Sequence, residues 1–314
     1  MSLHPEAAAF LEAGKAAKVP DLPELGPYGA RMNSHNEPRD LGGPLTDQTT
    51  ITHRFITSHT ADLPIRVYTP KKSSRADGLF NGIVYFHGGG WVINNLAKYE
   101  SQLADMAALT NSVIISVNYQ KAPEHMFPIP FDDCYDTLEW VVNRAADFGI
   151  DPTKIGVGGD SAGGNLASGV ALAARDRGKI KLAFQWLIYP CNGPEFVDSP
   201  NVPNAEGYGL TQKNMKWLWD QYITDADRSN PYAVPHAATS FAGLPPTILL
   251  TAEYDVLRED GIAYKDKLVA AGVEVAYKDA PGMIHGFFNY GKFISDGIAI
   301  RRYFADEINR IVGA

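Results

Sequence analysis

The sequence predicts an α/β fold built on a mostly parallel, doubly wound sheet, and three observations carry that expectation. Short β-like runs recur along the chain, stretches of helical periodicity separate them, and glycine-containing turns stand after several of the runs. Thr50 to Thr57 and Leu63 to Tyr68 come first and alternate apolar with polar residues, as antiparallel strands at a sheet edge do. Ile83 to Phe86, Val113 to Val117, Ile155 to Gly158, Leu182 to Ile188, Thr247 to Leu250 and Val273 to Tyr277 read as the remaining strands. Helical periodicity fills the intervening runs, for example Asp133 to Ala146 and Glu259 to Ala271. No internal repeat or low-complexity segment interrupts the pattern.

Two stretches fall outside the alternation. Residues 1–45 begin as a helix and turn rich in Pro, Gly and Asn, and residues 194–236 intrude between two strands. The second stretch carries Tyr208, Met215, Trp217, Leu218, Trp219 and Tyr222 around a helix expected to begin at Thr211. In the first, Ala7 to Leu11 form an apolar helical face whose expected partner is the aromatic helix near Trp217.

The pentapeptide Gly159-Asp160-Ser161-Ala162-Gly163 sits between a strand and a run of small residues with helical character. A serine in such a sharp strand-to-helix turn is held in a strained backbone conformation, and small neighbours let the strand and helix approach. The turn aims the Ser161 hydroxyl at the C-terminal edge of the sheet, with the Ala162 amide pointing the same way. Upstream, His87-Gly88-Gly89-Gly90-Trp91 follows a strand. Three consecutive glycines let backbone amides approach a ligand, and Gly88 and Gly89 are the expected oxyanion donors with Ala162. His87 is read as shaping that loop. Downstream, Asp255 and His285 each follow a strand, so Ser161, Asp255 and His285 fall in the order nucleophile, acid, base.

Together, HGGGW, GDSAG, the DxLR acid loop and HGF resemble the hormone-sensitive-lipase-like family of α/β-hydrolases, the bacterial family IV carboxylesterases, over about residues 46–314. The family's usual YRLAPE reads YQKAPE here, at Tyr119 to Glu124, and its DPLRDE acid loop carries Val256 for proline with Glu259 and Asp260 in exchanged order. The resemblance implies an α/β-hydrolase fold with a helical cap: residues 1–45 as its N-terminal part, 194–236 as an insertion, and 46–193 with 237–314 as the catalytic domain. It implies a carboxylesterase acting on short to medium acyl esters through a Ser161 acyl-enzyme, with His285 as general base and acid and Asp255 orienting it. Trp91, Tyr208 and Met215 are the candidates for substrate contact. Amide or formamide hydrolysis on the same triad is the alternative within enzymes. A non-catalytic small-molecule receptor is the alternative outside them, and the presence of His285 counts against it.

Composition limits the partners. A chain of 314 residues with 45% hydrophobic content can bury one large core, and its formal net charge of −8 disfavours nucleic acid. Cys134 and Cys191 are too few to announce a disulfide framework and read as reduced structural thiols. No HExxH occurs, His53 and His59 lack a third ligand, and neither phosphate-loop nor dinucleotide spacing is completed. No cofactor or metal is therefore expected. Without a signal-peptide pattern or a membrane-spanning run, the expectation is a cytoplasmic protein with a small-molecule ester as partner, a homodimer being left open.

Overall fold

The computed structural model describes residues 2–313. Two helices lead, α1 (Pro5–Ala17) and α2 (Leu22–Asn36), the second kinked at Gly26-Pro27, where Gly26 adopts φ 63°. Strands β1 (Thr49–Thr57), β2 (Asp62–Pro70) and β3 (Phe80–Phe86) follow. Next come α3 (Glu100–Leu109), β4 (Ser112–Val117), α4 (Ile129–Asn143), β5 (Ile150–Asp160), α5 (Ala162–Arg177) and β6 (Gln185–Ile188). After β6 stand α6 (Glu195–Asp198) and α7 (Gln212–Tyr222), then β7 (Thr247–Tyr254), α8 (Arg258–Ala270), β8 (Val275–Ile284) and α9 (Asp296–Val312).

Among the described residues the strands form one eight-stranded sheet in the order β1-β2-β4-β3-β5-β6-β7-β8. Strand β2 runs antiparallel to β1 and β4, and every other pair is parallel. The antiparallel edge and doubly wound centre match the sequence expectation. Strand β5 is longer than the apolar run at Ile155 to Gly158, because pairing to β3 at Ile150 extends it backwards through a polar, half-exposed turn.

The two-residue period of the central strands divides them between two cores. Val84 and Phe86 of β3 pack with Leu249 of β7 on one face, and Ile83 and Tyr85 pack with Ile248 and Leu250 on the other. The first face is covered by α4, α5 and α8 through residues such as Phe131, Leu166 and Leu268, and the second by α3 and α9 through Met106 and Phe304. A parallel sheet needs both faces covered, and each large apolar side chain withdrawn from water contributes about 1.5–3 kcal/mol. Helix α9 shows how pattern becomes packing: Ile300, Phe304, Ile308 and Val312 recur every fourth residue, and all are buried. Cys134 and Cys191 are both free and buried.

The two stretches outside the alternation meet at the sheet's C-terminal edge. The Leu22 amide donates to Asn214 Oδ1 at 3.2 Å, and Lys213 pairs with Asp21 and Glu24, so α2 docks on α7. Thr211 caps α7, its hydroxyl accepting the Asn214 amide at 3.1 Å. Helix α1 has a different partner from the one its apolar face suggested. Ala7 is buried in the core beneath β8, and Phe10 stacks on Tyr290 at 4.4 Å rather than reaching the helix around Trp217. The segment after β8 offers an aromatic surface that sequence periodicity does not reveal. Among the described residues, no helix is long and apolar enough to cross a membrane.

Candidate active site

Strand β5 ends at Asp160 and α5 begins at Ala162, leaving Ser161 at φ 55°, ψ −121°, in the left-handed half of backbone space. The strain is sustained by close backbone approach on both sides. A Cβ on Gly163 would lie 1.9 Å from the Phe86 carbonyl oxygen, and one on Gly159 would lie 2.3 Å from that of Gly163. The Ser161 amide donates to Ile188 O at 2.9 Å, which fixes the turn to β6.

Three motifs far apart in sequence converge on this turn. His285 Nε2 lies 3.0 Å from Ser161 Oγ, and His285 Nδ1 lies 2.6 Å from Asp255 Oδ2. The Asp255 side chain is wholly buried, its Oδ1 accepting the Leu257 amide at 2.9 Å, while His285 keeps 12% of its side-chain surface exposed. The ring of Tyr189 lies against the imidazole at 4.6 Å between centroids. A hydroxyl, an imidazole and a shielded carboxylate in this chain can pass a proton from serine to histidine while the carboxylate holds the ring.

The glycine loop corrects one expectation. The Gly88 amide donates to Asp160 Oδ1 at 2.8 Å and cannot also face a substrate oxygen. The amides of Gly89, Gly90 and Ala162 have no partner among the described residues. Asp160 takes Gly88 because a buried carboxylate needs donors from every side. It also accepts from Tyr85, Tyr99 and Asn289, and burial pushes its carboxyl upward against the pull of those bonds. Its place inside the serine motif gave no sign of this role. His87 is fully buried, stacked on Tyr119 at 4.5 Å, with Nδ1 2.8 Å from Gly88 O; burial pushes it down to about 3, so it stays neutral.

A cavity of about 330 Å³ opens over Ser161 and His285. Met215 lines it, together with Leu210 and Leu218 from the insertion and Phe10, Ala30 and Ser34 from the two leading helices. Trp91 and Tyr208 do not. Trp91 is fully buried, stacked on Tyr222 at 4.2 Å and against Trp219 at 4.5 Å, so it joins the glycine loop to α7 behind the cavity. Tyr208 turns away onto Tyr254 at 4.9 Å. Both are large aromatics that found aromatic partners, which composition could not distinguish from a cavity wall.

Helix α2 is fastened to the glycine loop. Arg31 donates to Val92 O at 2.8 Å and Ala122 O at 2.6 Å and forms a forked pair with Glu124, which holds that carboxyl down to about 2. One turn on, Ser34 donates to Asn94 Oδ1 at 2.7 Å, and Asn94 Nδ2 donates to Gly88 O at 3.2 Å. Polar residues scattered along a kinked helix gave no periodic signal for these contacts. In the acid loop, Arg258 binds Asp279 and Glu259, while Asp260 is the buried member. Asp260 meets His236 at 3.0 Å and accepts the amides of Asn192 and Gly193, anchoring the base of the insertion.

Residues 83–289 match the family described as alpha/beta hydrolase fold. The chain is 37% identical over 233 residues to carboxylesterase NlhH of Mycobacterium tuberculosis, covering 73% of this chain and 72% of that protein. It is 33% identical over 307 residues to ethyl acetate hydrolase of Pseudomonas putida, covering 94% and 95% respectively. Among solved structures it resembles an ester hydrolase from the metagenome of Lake Arreo, complexed with a derivative of bipyridine phosphonate. The TM-score is 0.92 at 34% identity, covering 99% of this chain and 100% of that one.

Proposed function

The chain belongs to the alpha/beta hydrolase fold family, among its hormone-sensitive-lipase-like esterases, and on that premise we propose that it hydrolyses short to medium acyl esters through a Ser161 acyl-enzyme. That it is a carboxylic-ester hydrolase follows from relatives named carboxylesterase, esterase and ester hydrolase. The observation that carries the finer reading is the 3.0 Å contact of Ser161 Oγ with an imidazole held 2.6 Å from a buried carboxylate.

In this reading Ser161 Oγ attacks the ester carbon as His285 Nε2 takes its proton. Asp255 keeps Nδ1 protonated and stabilises the imidazolium. The carbonyl oxygen becomes an oxyanion facing the amides of Gly89, Gly90 and Ala162, Gly90 replacing Gly88 because the latter is spent on Asp160. His285 then gives its proton to the departing alkoxide. Water, activated by the same imidazole, attacks the acyl carbon and releases the acid. Residues 1–45 and 194–236 form the roof that excludes bulk water. A cavity of about 330 Å³, small among ligand sites, and a relative named ethyl acetate hydrolase favour short to medium acyl groups.

The test is hydrolysis of p-nitrophenyl esters from acetate to palmitate, with amide and formamide analogues alongside. The expected result is kcat/KM highest among the shorter esters, little amide turnover, and fluorophosphonate labelling that Ser161→Ala abolishes. Full activity in folded Ser161→Ala would overturn the reading.

A further inference from the structure

Asp160 is enclosed beside the nucleophile, and its donors come from four separate segments. Tyr85 OH in β3 and the Gly88 amide reach Oδ1 at 2.9 and 2.8 Å, while Tyr99 OH and Asn289 Nδ2 reach Oδ2 at 3.1 and 2.9 Å. All four donors are neutral. Two of them adjoin groups that the proposed mechanism uses: Gly88 directly precedes the amides of Gly89 and Gly90, and Asn289 closes the short turn that follows His285. The orientation of the Asn289 amide is set independently. Its Oδ1 accepts Gln102 Nε2 at 3.0 Å, and that nitrogen also donates to Lys98 O at 3.0 Å, so Nδ2 must face Asp160.

We propose that Asn289 is a positioning residue that locks the histidine loop to the oxyanion loop through Asp160, so that His285 and the loop amides keep fixed places around Ser161. The proposal rests on the esterase reading above. A buried carboxylate without a cation depends on every donor it has. Among the bonds that oppose the effect of burial on Asp160, that from Asn289 is the largest. Without it, Asp160 would protonate at higher pH, and a protonated acid would need an acceptor. The Tyr99 hydroxyl can turn to accept that proton, but the neutral acid is a weaker acceptor for the Gly88 amide, so the loop would be held less tightly. The titratable groups facing Asp160 are Tyr85 and Tyr99 in contact, Tyr119, Tyr189, Tyr290 and Cys191 farther out, the last a thiol that burial pushes up, and the His285–Asp255 pair past Ser161, with Glu37 at the cavity edge and Lys98 paired to it. Burial pushes all five tyrosines up, so they stay neutral across the working range.

Asn289→Ala and the near-isosteric Asn289→Asp test this in the full chain with p-nitrophenyl acetate. The alanine variant should lose about 10- to 100-fold in kcat with KM within about threefold, its acid limb displaced to higher pH. In the aspartate variant two facing carboxylates share one proton, which takes the place of the amide donor. Its activity should therefore approach wild type at lower pH and fall as pH rises through the second dissociation, an alkaline limb the wild type lacks. Its Tm should fall relative to wild type over the same rise, because that proton is held more tightly folded than unfolded. The Tm readout does not depend on catalysis. An unchanged kcat in Asn289→Ala, or an Asn289→Asp whose rate and Tm profiles run parallel to wild type, would overturn the proposal while leaving the esterase reading intact. Absence of ester hydrolysis by the wild type would instead remove the esterase reading, and the positioning role with it.

Discussion

His285 Nδ1 lies 2.6 Å from Asp255 Oδ2, and the other oxygen of that carboxylate is held by the Leu257 amide at 2.9 Å. The carboxylate therefore cannot rotate to accept anything else, and an amide in its place would present a donor or the wrong tautomer to the imidazole. Asp255→Asn is expected to lower kcat for p-nitrophenyl acetate by about 10⁴ with KM little changed. Glu259 points outward to Arg258, and Glu259→Gln should stay within about twofold of wild type. The reverse ranking would assign the acid to Glu259.

Gly163 is the tightest point of the serine turn. With Phe86 O 1.9 Å from where a Cβ would stand, Gly163→Ala must push α5 off the sheet. The expected loss is about 3 kcal/mol of stability or more, with misplacement of Ser161. Urea unfolding measures the first and fluorophosphonate labelling rate the second. Wild-type values for both would show that the turn relaxes freely.

Phe10 contributes to the cavity wall and stacks on Tyr290 at 4.4 Å. Removing residues 1–20 deletes α1 while sparing Arg31 and Ser34. The truncated protein should lose kcat/KM for octanoate esters more than for acetate, since only the longer chain needs that wall. An unchanged octanoate-to-acetate ratio in a soluble protein would make α1 an appendage.

Lys121 stands at the leucine position of the YRLAPE motif that Tyr119 to Glu124 resemble. Burial pushes its ammonium down to about 8, with Nζ bonded to Asn118 Oδ1 at 2.8 Å and Tyr119 O at 3.1 Å. The folded value lies below the unfolded one, so the charge destabilises the fold fully below pH 8, and the penalty fades as pH rises towards 10.5. Lys121→Leu should gain about 1 kcal/mol at pH 7, less than the full shift because part of the side chain stays solvated and two hydrogen bonds are lost. Urea unfolding at pH 7 and pH 10 should show the gain shrinking. A gain that grows with pH would contradict the sign.

The sheet and the three converging motifs are legible in the sequence because each rests on a local cause: alternation within a strand, small residues at a tight turn, a polar residue placed just after an apolar run. What escapes is decided by partners. Gly88 and Gly89 look alike in sequence, and only the burial of Asp160 separates them. Trp91, Tyr208 and Met215 look alike as apolar bulk near a cleft, yet two of them found rings to stack on and one faces the cavity. The hold of α2 on the glycine loop uses single polar atoms at Arg31 and Ser34, which leave no periodic trace.

The anchoring of the first helix to the end of the chain sets an order of events during synthesis. The His4 amide bonds to Gly282 O, and Glu6 accepts from both the amide and the hydroxyl of Ser295, 289 positions later. The ribosome releases α1 long before the segment it docks on, and a helix of 13 residues is marginal alone. A nascent chain therefore exposes the Ser161 turn long before it contains His285 or the wall that Phe10 and Tyr290 give the cavity. On the proposed mechanism a chain that stops short of His285 turns over no ester, and the wall for longer acyl groups forms only once α1 has met the segments around Gly282 and Ser295.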